Sequence, residues 1–241
     1  QWQPVPTYFE RLGAQGVDCA VVSPARFAGS GLTGAALRGA RHVPADTLEQ
    51  RVSAALRELR AGTPVVYLYW SEIDHSGHSH GVASDAWIGQ VEQFDAGLSA
   101  LLRGLPGGVR TVLTADHGMI NVERDSIVDV AATPALREGV RIVAGETRAA
   151  HVHAQEGRAE EVEARWREAL GESAWILSCS QMPALIGDGS GASIIGDLLV
   201  LSRGRGGVVD SRTQSASAIA MPGIHGSMTS TEMRIPVVIL S

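Results

Sequence analysis

The sequence contains no lysine and only two cysteines, and both shortages exclude classes of chemistry. All twenty cationic side chains are arginine, so the chain cannot hold a Schiff-base lysine, a pyridoxal-phosphate anchor or a phosphate-binding lysine of the Walker type. Cys19 and Cys179 are far apart and form no CxxC motif, which excludes a zinc knuckle and a disulfide framework. Any phosphate chemistry in this chain must therefore use metal ions, arginine side chains or backbone amides.

Long apolar runs are also missing, although apolar residues are plentiful. No segment approaches the ~18 consecutive apolar residues of a membrane span, whereas 44% hydrophobic and 19% charged residues are enough for a folded core. The length of 241 residues allows one large α/β domain or two small ones. A formal charge of -6 gives no electrostatic reason to expect nucleic acid or an anionic membrane as a partner. We expect a soluble globular protein whose oligomeric state and compartment, cytoplasmic or exported, the composition leaves open.

Strand-like and helix-like patterns alternate through the first two thirds of the chain, which is typical of parallel strands joined by crossover helices. The predicted elements of this part are a short helix over residues 6–15, strands Val17–Ser23, Val65–Trp70 and Val109–Ala115, and helices over residues 47–60 and 84–102. Asp46 is the predicted N-cap of the helix over residues 47–60, and Gly62 is its predicted end. The strands are apolar, so we expect them to be buried in an α/β fold.

The pattern of strand-like and helix-like segments changes after about residue 125, which predicts three regions. Residues 1–124 form an α/β core, residues 125–207 form a small inserted α+β lobe, and residues 208–241 return to the core. In this last region, Thr229 and Glu232 have the spacing of a capping box. A final strand is predicted over residues 235–240.

Five residues able to bind a metal ion follow predicted strands or stand between glycines. Asp74 and His78 are four residues apart, so one helical turn places both on one face. Asp116 and His117 follow another strand, and ligands of a parallel sheet bind beyond the carboxyl ends of its strands. Asp74, His78 and His225 would form an open zinc site. Asp116 and His117 would begin a second site, and two adjacent metal ions can stabilise both the attacking and the leaving oxygen of a phosphoryl transfer.

Other side chains offer alternatives to these assignments. His75 and His80 could replace His78 or Asp74 as ligands, because the same segment allows several pairings. His151 and His153 share one face of a predicted strand, but they lie in the predicted lobe and are more simply strand-surface residues.

Glycines beside the predicted metal-binding residues and hydroxyl groups after the first strand have predicted roles of their own. Gly118 lets the backbone leave its strand, while Gly223 and Gly226 let the backbone approach a ligand. The candidate nucleophiles after the first strand are Ser23, Ser30 and Thr33. Nothing in the surrounding sequence favours one of these three.

Three motifs occur in this order along the chain: Asp74-x-x-x-His78-x-x-Gly81, Thr114-Ala115-Asp116-His117-Gly118-Met119 and His225-Gly226-Ser227. In the order and spacing of these motifs, the chain resembles the alkaline phosphatase superfamily, in particular its type I phosphodiesterase / nucleotide pyrophosphatase branch. The resemblance covers nearly the whole chain and fits the inserted lobe least well. It implies a three-layer α/β/α sandwich with a mostly parallel sheet and two Zn²⁺ ions. By this likeness, Asp74, His78 and His225 hold one zinc ion. Asp116 and His117 hold the other.

The chain departs from the family pattern in its first part. In the family, an Asp at the end of the first strand and a Thr or Ser nucleophile at a helix start complete the second zinc site. Asp18 lies at the beginning of its strand, and neither Ser30 nor Thr33 matches the nucleophile position. We therefore expect the nucleophile to lie upstream of Gln1, with this chain as the C-terminal portion of a larger catalytic domain.

The resemblance implies zinc-dependent hydrolysis of phosphodiester or nucleotide pyrophosphate bonds through a covalent intermediate. The expected substrate is a small phosphoester or nucleotide. One alternative is a non-catalytic fragment or metal-binding domain that holds at most one zinc ion. The other is a related phosphonate or sulfate ester hydrolase, because metal ligands alone do not determine the leaving group.

Overall fold

The structure is a computed structural model of the chain, and it describes residues 3–187, 189 and 194–240. Its β-strands in chain order are β1 (Cys19–Ser23), β2 (Arg41–Pro44), β3 (Val65–Leu68), β4 (Thr111–Thr114), β5 (Ile120–Asn121), β6 (Ile127–Asp129), β7 (Val140–Glu146), β8 (Ala149–Ala154), β9 (Ala174–Ser178), β10 (Leu198–Ser202), β11 (Gly207–Val209), β12 (Gly223–Ile224) and β13 (Val237–Leu240). Its α-helices are α1 (Tyr8–Gly13), α2 (Gly31–Ala36), α3 (Leu48–Arg60), α4 (Glu72–His80), α5 (Asp85–Gly104), α6 (Pro134–Arg137), α7 (Ala159–Leu170), α8 (Pro183–Ile186), α9 (Ala216–Ile219) and α10 (Ser230–Met233). Within this described part, no helix is both long and apolar enough to cross a bilayer.

The chain divides into two compact units that are interleaved in the sequence. The first unit consists of Gln1–Ile73, Ile88–Leu113 and Val237–Ser241, and the second consists of Asp74–Trp87 and Thr114–Pro236. All five predicted metal-binding residues belong to the second unit. The three-region division expected from the sequence stays a prediction.

A parallel three-stranded sheet with the order β2-β1-β3 forms the centre of the first unit. Every residue of β1 is buried, as expected for the middle strand of a parallel sheet. Helix α3 places Ala54 and Ala55 in the same apolar cluster as Ala20 and Val22 of β1. The predicted alternation of parallel strands and helices is confirmed in this part of the chain.

Helix α3 begins one residue later than predicted because it uses a different cap. The side chain of Thr47 accepts a hydrogen bond from the backbone N–H of Gln50, and the Gln50 side chain accepts one from the backbone N–H of Thr47. The prediction of Asp46 as the cap is wrong, since its carboxylate accepts instead from the backbone N–H of Ala25 at 2.9 Å. Gly62 follows the helix as predicted, with a φ of +89° that favours glycine.

Strands β4 and β13 pair with each other, but they are less buried than their apolar sequences predict. Val112 in β4 is 56% exposed, and Val237 and Ile239 in β13 are 69% and 66% exposed. Among the described residues, these strands form a two-stranded sheet, so each has an open edge, whereas β1 is flanked by two strands. Apolar composition alone therefore overestimates their burial.

An antiparallel four-stranded sheet with the order β7-β8-β10-β9 forms the main core of the second unit. Helix α7 contributes the buried side chains of Val162, Trp166 and Leu170 to this core. The indole N–H of Trp166 donates to the Leu136 carbonyl oxygen at 3.0 Å, which satisfies a polar group inside an apolar cluster. These strands lie inside the segment that the sequence predicts to be an inserted α+β lobe.

A short strand pair in the second unit positions two loops that carry predicted ligands. Strand β5 pairs antiparallel with β12, so that Ile120 lies opposite Ile224 and Asn121 lies opposite Gly223. Because His225 directly follows β12, this register brings it beside the segment that leads into β5.

Candidate metal centre

Helix α4 carries the first two predicted ligands. Asp74 and His78 are one turn apart on this helix, and Asp74 Oδ1 lies 3.4 Å from His78 Nε2. His78 Nδ1 lies 2.8 Å from the carbonyl oxygen of Gly223, so the ring donates its Nδ1 hydrogen there and keeps Nε2 free. A hydrogen bond of this kind is usual for metal-binding histidines, because it fixes the tautomer and the ring orientation.

His225 brings a third ligand atom to the same place. Its Nε2 atom lies 3.7 Å from Asp74 Oδ1. One ligand atom from each of Asp74, His78 and His225 lies within 4.8 Å of the other two. Among the described residues, this is the only group of three or more His, Cys, Asp or Glu side chains with such spacing. The structure therefore brings together the three residues predicted for one metal site.

The environment of the Asp74 carboxylate suits a cation. Its Oδ1 atom is buried and has no hydrogen-bond partner among the described atoms. A buried carboxylate oxygen without a donor is costly, and a metal ion held by Asp74, His78 and His225 would compensate its charge. Two imidazole nitrogens and one carboxylate oxygen are also a donor set typical of zinc sites that keep an open position. The residues present therefore fit the metal that the family resemblance implies.

Asp116 and His117 lie beside this cluster. The His117 ring stacks on the His225 ring, with centroids 3.5 Å apart and an angle of 18° between the planes. His117 Nδ1 lies 3.0 Å from the Gly118 carbonyl oxygen, while the Asp116 side chain is 76% exposed. In the part of the chain that the structure describes, no third His, Cys, Asp or Glu completes a cluster with these two residues. Their role as ligands of a second metal ion stays a prediction.

Burial lowers the pKa of His225 below its usual value. The neighbouring His117 and His78 lower this pKa further, whereas the carboxylates of Asp74 and Glu146 raise it. The net effect favours the neutral imidazole, which is the form of histidine that binds a metal ion.

The alternative ligands lie outside the cluster. His75 and His80 are exposed residues of α4, and neither belongs to the group formed by Asp74 and its partners. His151 and His153 are half-buried residues of β8. Of the pairings that the sequence allows on α4, the structure favours Asp74 with His78.

The three candidate nucleophiles all lie in the first unit and have local partners. Ser23 is only 2% exposed, and its Oγ atom lies 2.8 Å from His42 Nε2. Ser30 is the N-cap of α2, where its Oγ atom accepts from the backbone N–H of Thr33 and donates to the Thr33 hydroxyl group. Each of the three hydroxyl groups therefore has a hydrogen-bond partner within the first unit.

Two positions beside the predicted ligands must be glycine, because neighbouring backbone atoms leave no space for a Cβ atom. A Cβ atom on Gly223 would lie 2.2 Å from the Gly77 carbonyl oxygen, and one on Gly118 would lie 2.0 Å from the Thr231 carbonyl oxygen. Gly226 has a φ of +126°, a region that favours glycine. The sequence predicts that Gly223 makes room for a ligand, but its nearest neighbour is the backbone of α4.

A buried ion pair in the second unit was not predicted. Arg148 and Glu232 are 0% and 1% exposed, and two hydrogen bonds join them, from Nε to Oε1 at 3.0 Å and from Nη2 to Oε2 at 2.7 Å. Thr229 is the N-cap of α10, but the predicted capping box does not form, because Thr229 makes no side-chain bond to the helix backbone. Its hydroxyl group donates instead to the Glu232 carboxylate, which also faces Arg148. The partners are 84 residues apart, so no local pattern reveals the pair.

The comparison with known families decides the classification. The family model described as "Type I phosphodiesterase / nucleotide pyrophosphatase" matches residues 2–228. The chain belongs to this family. The matched range includes all five predicted metal-binding residues and confirms the resemblance seen in the sequence motifs. A comparison with curated protein sequences gives no significant match.

Solved structures show the fold of this family member. Human ectonucleotide pyrophosphatase / phosphodiesterase 5 matches with a TM-score of 0.76 at 15% identity, covering 99% of this chain and 64% of that chain. The murine protein matches with 0.71 at 16% identity, covering 94% and 61%. Phosphonoacetate hydrolase from Sinorhizobium meliloti 1021, in complex with phosphonoformate, matches with 0.71 at 19% identity, covering 97% and 68%. The predicted α/β fold of the alkaline phosphatase type is confirmed. The chain spans less than two thirds of the length of the two ectonucleotide structures.

Proposed function

We propose that this family member is a hydrolase of phosphodiester or nucleotide pyrophosphate bonds and that Zn²⁺ is its metal ion. The observation that carries this proposal is the cluster of Asp74, His78 and His225, in which a buried carboxylate oxygen has no donor among the described atoms. The family membership supports the reaction class. A structure of an inactive murine ectonucleotide pyrophosphatase / phosphodiesterase 5 in complex with AMP, similar in fold, supports a nucleotide as the substrate.

Each residue of the site has a defined task in this proposal. Asp74, His78 and His225 would hold one zinc ion. The Gly223 carbonyl accepts the hydrogen bond from His78 Nδ1, which leaves Nε2 available as a ligand. Asp116 and His117 contribute to a second ion. Bound zinc polarises a phosphoryl oxygen and stabilises the negative charge that develops on it. In a chain without lysine, metal ions supply this charge stabilisation together with arginine side chains or backbone amides.

The experiment compares metal content and hydrolysis in matched variants of the chain. We expect the chain to bind zinc, and Asp74→Ala and His225→Ala to lose it together with any hydrolysis of a nitrophenyl nucleotide ester. His75→Ala is the control, because His75 is an exposed residue of the same helix and should leave both quantities unchanged. Full zinc binding by Asp74→Ala and His225→Ala would show that the site lies elsewhere. Zinc binding without turnover would support the alternative of a metal-binding domain without its nucleophile.

A phosphonate hydrolase is the second candidate function. Phosphonoacetate hydrolase matches this chain as well as the murine ectonucleotide structure does, and it was solved in complexes with phosphonoformate and phosphonoacetate. The metal ligands do not distinguish a phosphorus–carbon bond from a phosphorus–oxygen bond. Parallel assays with phosphonoacetate and a nitrophenyl nucleotide ester separate the two candidates, since each predicts turnover of one substrate class.

A further inference from the structure

Glu232 is hydrogen-bonded to two segments that carry predicted ligands, and it uses a different atom for each. Its backbone carbonyl accepts from the N–H of Gly118 at 2.7 Å, and the Gly118 carbonyl in turn accepts from Nδ1 of His117 at 3.0 Å. Its side-chain Oε1 atom accepts from the N–H of Ser227 at 3.1 Å, two residues after His225. One residue therefore fixes the backbone next to both stacked histidines.

Arg148 fixes the orientation of the Glu232 carboxylate. Its guanidinium group donates twice to Glu232 and also donates to the Gly206 carbonyl oxygen. The Ser227 hydroxyl group donates to the Ser202 carbonyl oxygen at 2.7 Å, so this segment is also bonded to the end of β10. Arg148 directly precedes β8, which lies beside β10 in the antiparallel sheet. The sheet thus supports the His225 segment through the Arg148–Glu232 pair.

We propose that Arg148 and Glu232 are positioning residues that hold the backbone beside His117 and His225 in place for metal binding. Stability alone does not explain this pair, because well-packed apolar residues of similar volume often replace a buried ion pair without loss of stability. Apolar residues cannot accept the hydrogen bond from Ser227. This inference rests on the proposed function, because Arg148 and Glu232 can position metal ligands only if His225 and its partners bind a metal ion.

The test replaces the ion pair by apolar residues and measures binding of Co²⁺ to the full chain. In Arg148→Met/Glu232→Leu, the Glu232 backbone carbonyl stays and the acceptor for Ser227 is lost. We expect a folded protein whose Co²⁺ affinity falls about 10–100-fold, the usual effect of removing a residue that orients metal ligands. The visible absorption of bound Co²⁺ should also change, because it reports the coordination geometry. If the pair only supports folding, its replacement should change neither the Co²⁺ affinity nor the absorption spectrum of the folded protein.

Two further variants serve as rescue and control. Arg148→Met/Glu232→Gln returns an acceptor oxygen to Ser227 but lacks the guanidinium group that orients it, so its Co²⁺ affinity should lie between those of Arg148→Met/Glu232→Leu and the unmodified chain. Asp210→Asn breaks another ion pair of the second unit. In this pair, the fully buried Asp210 carboxylate lies 2.6 Å from Nη2 of Arg212. This control should leave Co²⁺ affinity and the absorption spectrum unchanged.

The outcomes separate this inference from the proposed function. If the unmodified chain binds no Co²⁺, the metal site itself is wrong and the inference falls with it. If the chain binds Co²⁺ and Arg148→Met/Glu232→Leu binds it equally well with the same spectrum, only the positioning role is overturned. If that variant does not fold, the more flexible Glu232→Met replaces Glu232→Leu under the same criterion. Failure of both to fold would assign the pair to stability and overturn the inference.

Discussion

Single residues around the cluster are fixed by contacts that leave no space for a side chain. A Cβ atom on Gly223 would lie 2.2 Å from the Gly77 carbonyl oxygen, and the Gly223 carbonyl also accepts from His78. We predict that Gly223→Ala displaces this carbonyl, lowers the free energy of unfolding by about 1–3 kcal/mol and weakens zinc binding. Calorimetric zinc titration and urea unfolding measure the two effects.

The matched control for Gly223→Ala is Gly89→Ala in α5. A Cβ atom on Gly89 would have no neighbour within 4 Å. Alanine is favoured over glycine in a helix interior by about 1 kcal/mol, so this variant should be as stable as the unmodified chain or more so. Equal losses in the two variants would contradict a specific role for the contact between Gly223 and Gly77.

Glu232 connects the stability of the chain to pH. Burial raises its pKa, but the Arg148 guanidinium, the Thr229 hydroxyl group and the Ser227 amide lower it by more, so the net shift is downward. A carboxyl group whose pKa is lowered on folding stabilises the folded state above its unfolded pKa. This contribution is lost as the pH falls through the folded pKa.

We therefore predict that Glu232→Gln is destabilising at neutral pH and progressively less so in acid. It leaves Arg148 buried without a counter-ion, which costs about 3–5 kcal/mol. The difference in free energy of unfolding from the unmodified chain should be complete at pH 7 and shrink below the unfolded glutamate pKa of about 4.3. Urea titrations of both proteins at several pH values measure it. A difference that stays constant from neutral pH into acid would contradict the assignment.

At the scale of elements, two adjacent residues could each cap the N-terminus of α3, and the structure uses only one of them. Thr47 forms the capping box with Gln50, whereas Asp46 bonds to Ala25. We predict that Thr47→Ala lowers the free energy of unfolding by about 1 kcal/mol, as loss of an N-cap usually does. Thr47→Ser keeps the hydroxyl acceptor and should change stability by only a few tenths of that amount. Urea unfolding measures both, and equal losses would argue against the cap.

Elements that depend on local periodicity were predictable from the sequence. The helical spacing of Asp74 and His78 is a local property, and so is the apolar run that becomes β1. The exposure of β4 and β13 and the pairing of Arg148 with Glu232 depend on residues far away in the chain, so no window of sequence contains the information. The cap of α3 was missed by one residue because Asp and Thr are both good caps and tertiary contacts select between them.

At the scale of the whole molecule, the candidate site is assembled from segments that are distant in the sequence. Asp74 and His78 precede His225 by about 150 residues, yet their ligand atoms lie within 4.8 Å. The sequence predicts their proximity only through the order of strands in a parallel sheet and through the family resemblance. The buried carboxylate oxygen of Asp74, which supports the fit to a cation, is a property of the folded chain alone.

A ligand that binds only the folded chain stabilises it by an amount set by its concentration and its dissociation constant. We predict that Zn²⁺ at a hundred times its dissociation constant raises the free energy of unfolding by about 2.7 kcal/mol and that a chelator reverses this gain. His225→Ala should lose the gain, while His75→Ala should keep it. Zinc could also bind the exposed thiol of Cys179, so the measurement includes Cys179→Ser. If His225→Ala is stabilised as much as the unmodified chain and Cys179→Ser is not, zinc binds the thiol and the cluster around Asp74 is not the metal site.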